Sequence, residues 1–222
     1  MDNDGRVKSV DSTLHDVVIS HGAPYSRLLA EDGRRLDSGQ SHREEERMVR
    51  ELTRSARDGS GEQRAFQEEL RDRRVAMRQL SDAFHWTLHG TSMHCGQPVW
   101  VLRARPRAGW RPPTKEARML SKVAGEVWID QRELRMVKID AHVEATLSFA
   151  WFLLRIQPGF LFRFEQIRWE DGTWLPRRAF VKGEARIAAI KTVRLEIDTQ
   201  YSGYRRNQNE SRIVASVKGA GQ

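Results

Sequence analysis

From Val137 to Leu147 the side chains alternate without a break. Val137, Ile139, Ala141, Val143, Ala145 and Leu147 fall on one side; Met136, Lys138, Asp140, His142, Glu144 and Thr146 fall on the other. A period of two held over this length excludes a helix and requires an antiparallel strand with one dry and one wet face. Gly125-Glu126-Val127-Trp128-Ile129-Asp130 reads as its partner strand across a short polar turn. The rest of the chain is constrained by that sheet.

Upstream, Asp4-Gly5 is a hairpin-turn dipeptide with almost nothing before it, and the expectation is a fragment or a misassigned start. His15–Ser20 and Tyr25–Ala30 read as strands, the second ending at Glu31-Asp32-Gly33. The period then changes. Ser41 and Glu44 form a capping-box pattern for a helix broken at Asp58-Gly59-Ser60-Gly61, and a second helix is expected from about Glu62 to Ala83. Strands return at Phe84–Leu88 and Gln97–Arg105, separated by the turn Cys95-Gly96. A Pro-rich loop leads to a short helix, Lys115–Val123, capped by Thr114. After the central hairpin, Phe149–Ile156 and Phe160–Trp169 are expected to pair across Gln157-Pro158-Gly159. Arg177–Val181 follows, then a turn at Lys182-Gly183 and a last long strand from Ala185 to Asp198. The pattern predicts nine to eleven strands, a single domain over residues 1–207 and a polar, frayed tail over 208–222. Helices placed between early and late strands, not alternating with them, predict an α+β fold with an antiparallel sheet.

The net charge of +8 is uneven: residues 1–82 sum to −2 and residues 83–222 to +10. The densest basic stretch holds Arg103, Arg105, Arg107, Arg111, Lys115, Arg118 and Lys122 against Glu116 alone. Two readings stay open for it, a solvated loop and a contact for an anionic membrane surface or nucleic acid. Interleaved Trp100 and Trp110 suit base stacking, but no nucleic-acid-binding signature accompanies them, which makes nucleic acid the less favoured partner. Cys95 is the single cysteine, so an intramolecular disulfide is excluded. The longest apolar run, Leu147–Leu154, is far below the roughly 20 residues that span a bilayer, and Met1-Asp2-Asn3-Asp4-Gly5 lacks a signal-peptide pattern.

Catalytic chemistry finds little support. His85, His89, His94 and Cys95 lie within eleven residues, but their spacing matches no metal-site class, and polar positions on a wet strand face account for them. No nucleophile elbow or glycine-rich phosphate loop occurs. No cofactor is expected. The most unusual feature is aromatic: Phe149, Trp151, Phe152, Phe160, Phe162 and Phe164 fall within sixteen residues. They suit either the core of a sheet under helices or the wall of an apolar cavity.

Several segments together resemble one family. Cys95-Gly96-Gln97-Pro98-Val99-Trp100-Val101-Leu102, Met119-Leu120-Ser121-Lys122, Gly125-Glu126-Val127-Trp128-Ile129-Asp130 with Val137-Lys138-Ile139, Trp174-Leu175-Pro176 and Tyr201-x-x-Tyr204-Arg205 look like the outer-membrane lipoprotein-sorting (LolA/LolB-like) proteins. The resemblance covers about residues 84–205. It implies a strongly curved antiparallel sheet, an incomplete, half-open β-barrel, with two or three helices on its concave face. It also implies a cavity for lipid or lipoprotein acyl chains, a location in the periplasm or at the outer membrane, and neither enzymatic activity nor a metal. The family's first strand and N-terminal helix have no counterpart in this chain. The expectation is a non-enzymatic cell-envelope protein binding an apolar ligand through Val137, Ile139, Ala141, Val143, Trp151, Phe152, Phe160, Phe162 and Phe164. The alternative is a basic binding module built on Arg103–Lys122.

Overall fold

The computed structural model describes residues 9–20, 23–58, 68, 71, 79–114, 116–149, 154–187, 191–206 and 211–220. The fold is α+β, dominated by antiparallel strands in a sheet that does not close into a barrel. The chain divides into two compact units, residues 10–75 with 199–219, and residues 76–198 with the extreme termini.

In the first of these, β1 (Asp11–Ser20) pairs with β2 (Ala23–Glu31), which pairs with β3 (Arg34–Arg35). Helix α1 (Ser38–Asp58) packs on β2. Its capping box sits four residues earlier than the Ser41/Glu44 pattern suggests. Asp37 Oδ1 accepts from the Gln40 N–H at 2.7 Å while Gln40 Oε1 accepts from the Asp37 N–H at 3.0 Å. Glu44 is thereby released for other work. It takes the Leu28 N–H at 3.2 Å and Arg47 at 2.7 Å, which fixes the helix to β2. The stretch after Asn207 is not a frayed tail: β13 (Ser211–Ala220) pairs along β1 from Asp11↔Gly219 to Ile19↔Ser211.

The other unit contains a sheet in the order β4 (Phe84–His94), β5 (Gln97–Pro106), β6 (Val123–Asp130), β7 (Met136–Val143), β10 (Leu161–Arg168), β11 (Trp174–Ile187), with β12 (Lys191–Arg206) beyond. Thirteen strands among the described residues exceed the nine to eleven expected, because a two-residue edge strand, the C-terminal strand and a split segment escape pattern reading. The split segment is 147–156. β8 (Leu147–Phe149) and β9 (Leu154–Ile156) pair with each other, and β9 pairs with β11, so β9 is not the partner of β10. β10 lies instead between β7 and β11. Lys182-Gly183 does not turn either; β11 runs straight through it. Gly183 is small for another reason: a Cβ there would come within 2.4 Å of the Phe160 ring.

A short helix, α2 (Leu80–Ala83), leads into β4, and a 3₁₀ helix (Glu116–Lys122) follows the Pro-rich loop, with Thr114 Oγ1 accepting from the Ala117 N–H at 3.2 Å. The rest of the expected second helix and the Asp4-Gly5 turn lie outside the described residues. Among the described residues no helix is long and apolar enough to cross a membrane.

Candidate functional site

Directly opposed residues of antiparallel strands share a face, so the register sorts side chains without ambiguity wherever it is unbroken. Two rows cross six strands on one face. The first is Leu88, Leu102, Val127, Ile139, Phe164 and Ala179; the second is Trp86, Ala104, Gly125, Ala141, Phe162 and Val181. Every member is apolar or glycine. Adjacent strands lie about 4.8 Å apart, so each row spans roughly 24 Å.

Only Val127 and Ala104 in these rows are buried. Leu88 is 65% and Phe162 40% exposed, and the others are half-buried. Isolated exposed apolar residues are ordinary, whereas a contiguous apolar face is not. Gly125 lets β6 and β7 approach closely beneath the rows: a Cβ there would sit 2.2 Å from the Asp140 carbonyl oxygen and 2.7 Å from the Ala141 Cα.

The opposite face of the same strands is charged and paired. Arg103 meets Glu126 at 3.0 Å, Arg163 meets Asp140 at 2.8 Å, Lys138 meets Glu165 at 3.4 Å, and Arg178 meets Asp198 at 2.7 Å. Lys138 also stacks 4.7 Å over the Trp128 ring. An open groove of about 570 Å³ on this side is lined by Arg103, Arg105, Ser121, Glu126, His142 and Glu144 among others.

The nine residues read from the sequence as cavity wall separate into four groups. Ile139, Ala141, Phe162 and Phe164 come together on the open apolar face. Val137 does not join them; it is fully buried in a cluster with Val99, Trp174 and Trp128 at the end of the sheet. Val143 is buried and Phe160 half-buried, the Val143 N–H donating to the Phe160 carbonyl at 2.9 Å. Trp151 and Phe152 lie outside the described residues. Of the strict alternation, Ala145 is exposed, since β7 ends at Val143 and the chain bends there. Trp86, Leu88, Leu102, Ala104, Gly125, Val127, Ala179 and Val181 complete the apolar rows, and they escaped sequence reading because only strand order reveals them. Their signal lay in the alternation of Trp86/Leu88 and of Ala179/Val181.

The basic stretch is also divided. Arg103 is taken by Glu126; Arg107 donates to the Phe84 carbonyl at 3.3 Å; Lys122 donates to the Thr146 carbonyl at 2.7 Å. Arg105, Arg111 and Arg118 are exposed. Lys115 lies outside the described residues. Of the histidines, His89 approaches Arg103 at 3.3 Å, and His94 is buried with Nε2 2.8 Å from the Gln166 carbonyl oxygen. Among the described residues no three His, Cys, Asp or Glu side chains are grouped to hold a metal ion.

In the other unit, burial pushes the His15 imidazole below its ordinary value, with Glu44 opposing and Arg47 adding to the shift. Burial likewise raises the Tyr204 hydroxyl, with Tyr201 adding to the shift. The His15 ring thus lies within electrostatic reach of Glu44 and Arg47 on α1.

No family model matches the chain, and no curated protein matches it. Solved structures do match, two of them complexes of MucB with MucA. One is MucB in complex with MucA(peri), at 15% identity over 96% of this chain and 88% of that one; the other is the Pseudomonas aeruginosa MucA/MucB complex, at 14% identity over 96% and 89%. Both have a TM-score of 0.21, a weak likeness limited to the fold.

Proposed function

We propose that the chain is a non-enzymatic binding protein of the cell envelope whose ligand is a lipid or another extended apolar molecule lying across the two apolar rows. The observation behind this reading is the contrast between composition and burial. Twelve uncharged positions in register span six strands, yet ten of them keep solvent access. Covering such a face with an acyl chain stabilises the complex by about 0.8 kcal/mol per buried methylene, and the rows are about as long as an extended long acyl chain. The resemblance to lipoprotein-sorting proteins supports the same ligand class and a periplasmic or outer-membrane location, and a role in lipoprotein sorting is the finer form of the proposal. The alternative of a basic module retains three exposed arginines, but Arg103, Arg107 and Lys122 are bound within the chain.

A titration with a fluorescent long-chain fatty acid tests this. Saturable binding is expected, and Phe162→Asp should weaken it by about tenfold or more, since it places a charge against the apolar ligand. Arg163→Ala, on the opposite face, should leave it unchanged. Absence of saturable binding, or indifference to Phe162→Asp, would contradict the proposal.

A further inference from the structure

Strand β4 ends the sheet, with β5 as its one neighbour among the described residues. It is eleven residues long and contains no Lys, Arg, Asp, Glu or Pro, the residues that usually protect an exposed edge. Which of its peptide groups face outward follows from one hydrogen bond. The Arg107 N–H donates to the Ala83 carbonyl at 2.8 Å, so Ala83, His85 and Thr87 turn their backbone groups to β5. Phe84, Trp86 and Leu88 therefore turn theirs away. The prolines agree: Pro106 and Pro98, which have no N–H, stand opposite Phe84 and Met93, where the ladder needs none.

The outward groups of Phe84 are already used, its N–H by the Leu80 carbonyl and its carbonyl by Arg107. Those of Trp86 and Leu88 have no partner among the described residues, and beyond the bulge at Leu88/Gly90 the two-residue turn gives Thr91 and Met93 the same role. The Leu88 side chain lies exposed at the rim of the apolar rows, and beside it the half-buried Trp86 packs on Phe84 and Ala104 with its Nε1 donating to the Leu80 carbonyl at 3.1 Å. His85 and Thr87 lie on the other face beside Arg105, which is exposed and has no ion-pair partner among the described residues. An added strand would run about 10 Å from β5, within reach of Arg105 for a glutamate side chain.

We infer that the outer edge of β4 docks an extended segment of a partner protein in which apolar residues alternate with acidic ones. The partner's backbone pairs with Trp86 and Leu88, its apolar side chains extend the apolar rows, and its carboxylates face Arg105 and His85. The mode is strand addition, in which main-chain hydrogen bonds supply affinity and the alternate side chains supply selection. It is independent of lipid binding, and a failed fatty-acid titration would leave it standing.

The probes are blocked, labelled ten-residue peptides of alternating valine and glutamate or valine and lysine, followed by fluorescence anisotropy and by hydrogen exchange of the full chain. The glutamate peptide should bind and slow exchange in residues 84–94 while residues 136–143 stay unchanged. Arg105→Glu, a surface change, should weaken it by about tenfold, equivalent to about 1.4 kcal/mol, and shift preference to the lysine peptide. Leu88→Pro removes an outward N–H and spares the β4–β5 ladder; with unchanged circular dichroism it should also weaken binding. Equal affinity for both peptides, binding without protection of 84–94, or no binding would overturn the inference. So would a dimer of the chain that Leu88→Pro dissociates, because the edge would then serve a second copy.

Discussion

The two faces of the sheet formed by β4, β5, β6, β7, β10 and β11 are built from alternate residues of the same strands, yet they solve opposite problems. On one face Arg103, Glu126, Asp140 and Arg163 stand in a single cross-strand row and satisfy one another in pairs. That face is complete in water. On the other, Leu102, Val127, Ile139 and Phe164 stand in a parallel row in which Val127 is buried and the rest are only partly covered. Exposed ion pairs contribute little to stability, so the pairs on the charged face add little to it, and that face is held by the buried Val101 and by Trp128 packed on the end core. The apolar face retains most of the free energy that a ligand could gain by covering it. The difference teaches that the core is divided into two clusters, one around Val99, Val137 and Trp174 and one around Ala83, Phe84 and Ala104, the second covering the Trp86–Ala104 end of one apolar row. At the first cluster Trp174 Nε1 donates to Glu133 at 2.7 Å, Arg168 reaches the same carboxylate at 2.9 Å, and Asp130 accepts the Arg132 and Glu133 N–H groups.

That contrast can be broken at graded cost. The largest loss is expected at Gly125, where even an alanine Cβ meets the backbone of β7. Gly125→Ala should destabilise the protein by on the order of 3 kcal/mol by chemical denaturation, because a backbone clash cannot relax like a side chain. Next comes a matched pair. Val137→Ala, inside the end core, should cost about 2 kcal/mol and leave apolar-ligand affinity unchanged. Ile139→Ala, two residues along on the open face, should cost less stability and more affinity. If the two variants behaved alike, the division between end core and open face would fail. The smallest effect is expected at Arg163→Ala, which breaks an exposed pair with Asp140 and should change stability by less than about 1 kcal/mol.

The sequence made some of this plain and hid the rest for identifiable reasons. The β6–β7 hairpin was legible because a period of two fixes both strands and their faces. Cys95-Gly96 was legible because both residues adopt positive φ, 48° and 78°, as a two-residue hairpin turn demands. The helix start was misplaced because Asp37/Gln40 and Ser41/Glu44 both fit a capping box, and only the tertiary bond from Leu28 decides between them. Gly183 read as a turn because sequence cannot separate a glycine that bends the chain from one that admits a neighbouring ring. Val137 and Ile139 looked equivalent because strict alternation cannot show the register shift at Trp128/Ile129, which leaves Val137 without a directly opposed residue and packs it with Trp128 and Val99. The apolar rows depend on β10 standing between β7 and β11, a long-range choice with no local mark.

The most direct test of the open face is methyl NMR of the isoleucine-, leucine- and valine-labelled protein during titration with a long-chain fatty acid. The account predicts shifts at Leu88, Leu102, Val127, Ile139 and Val181, with Val101 and Leu161 of the opposite face unmoved. Shifts centred on Val101 and Leu161, or none at saturating ligand, would contradict it.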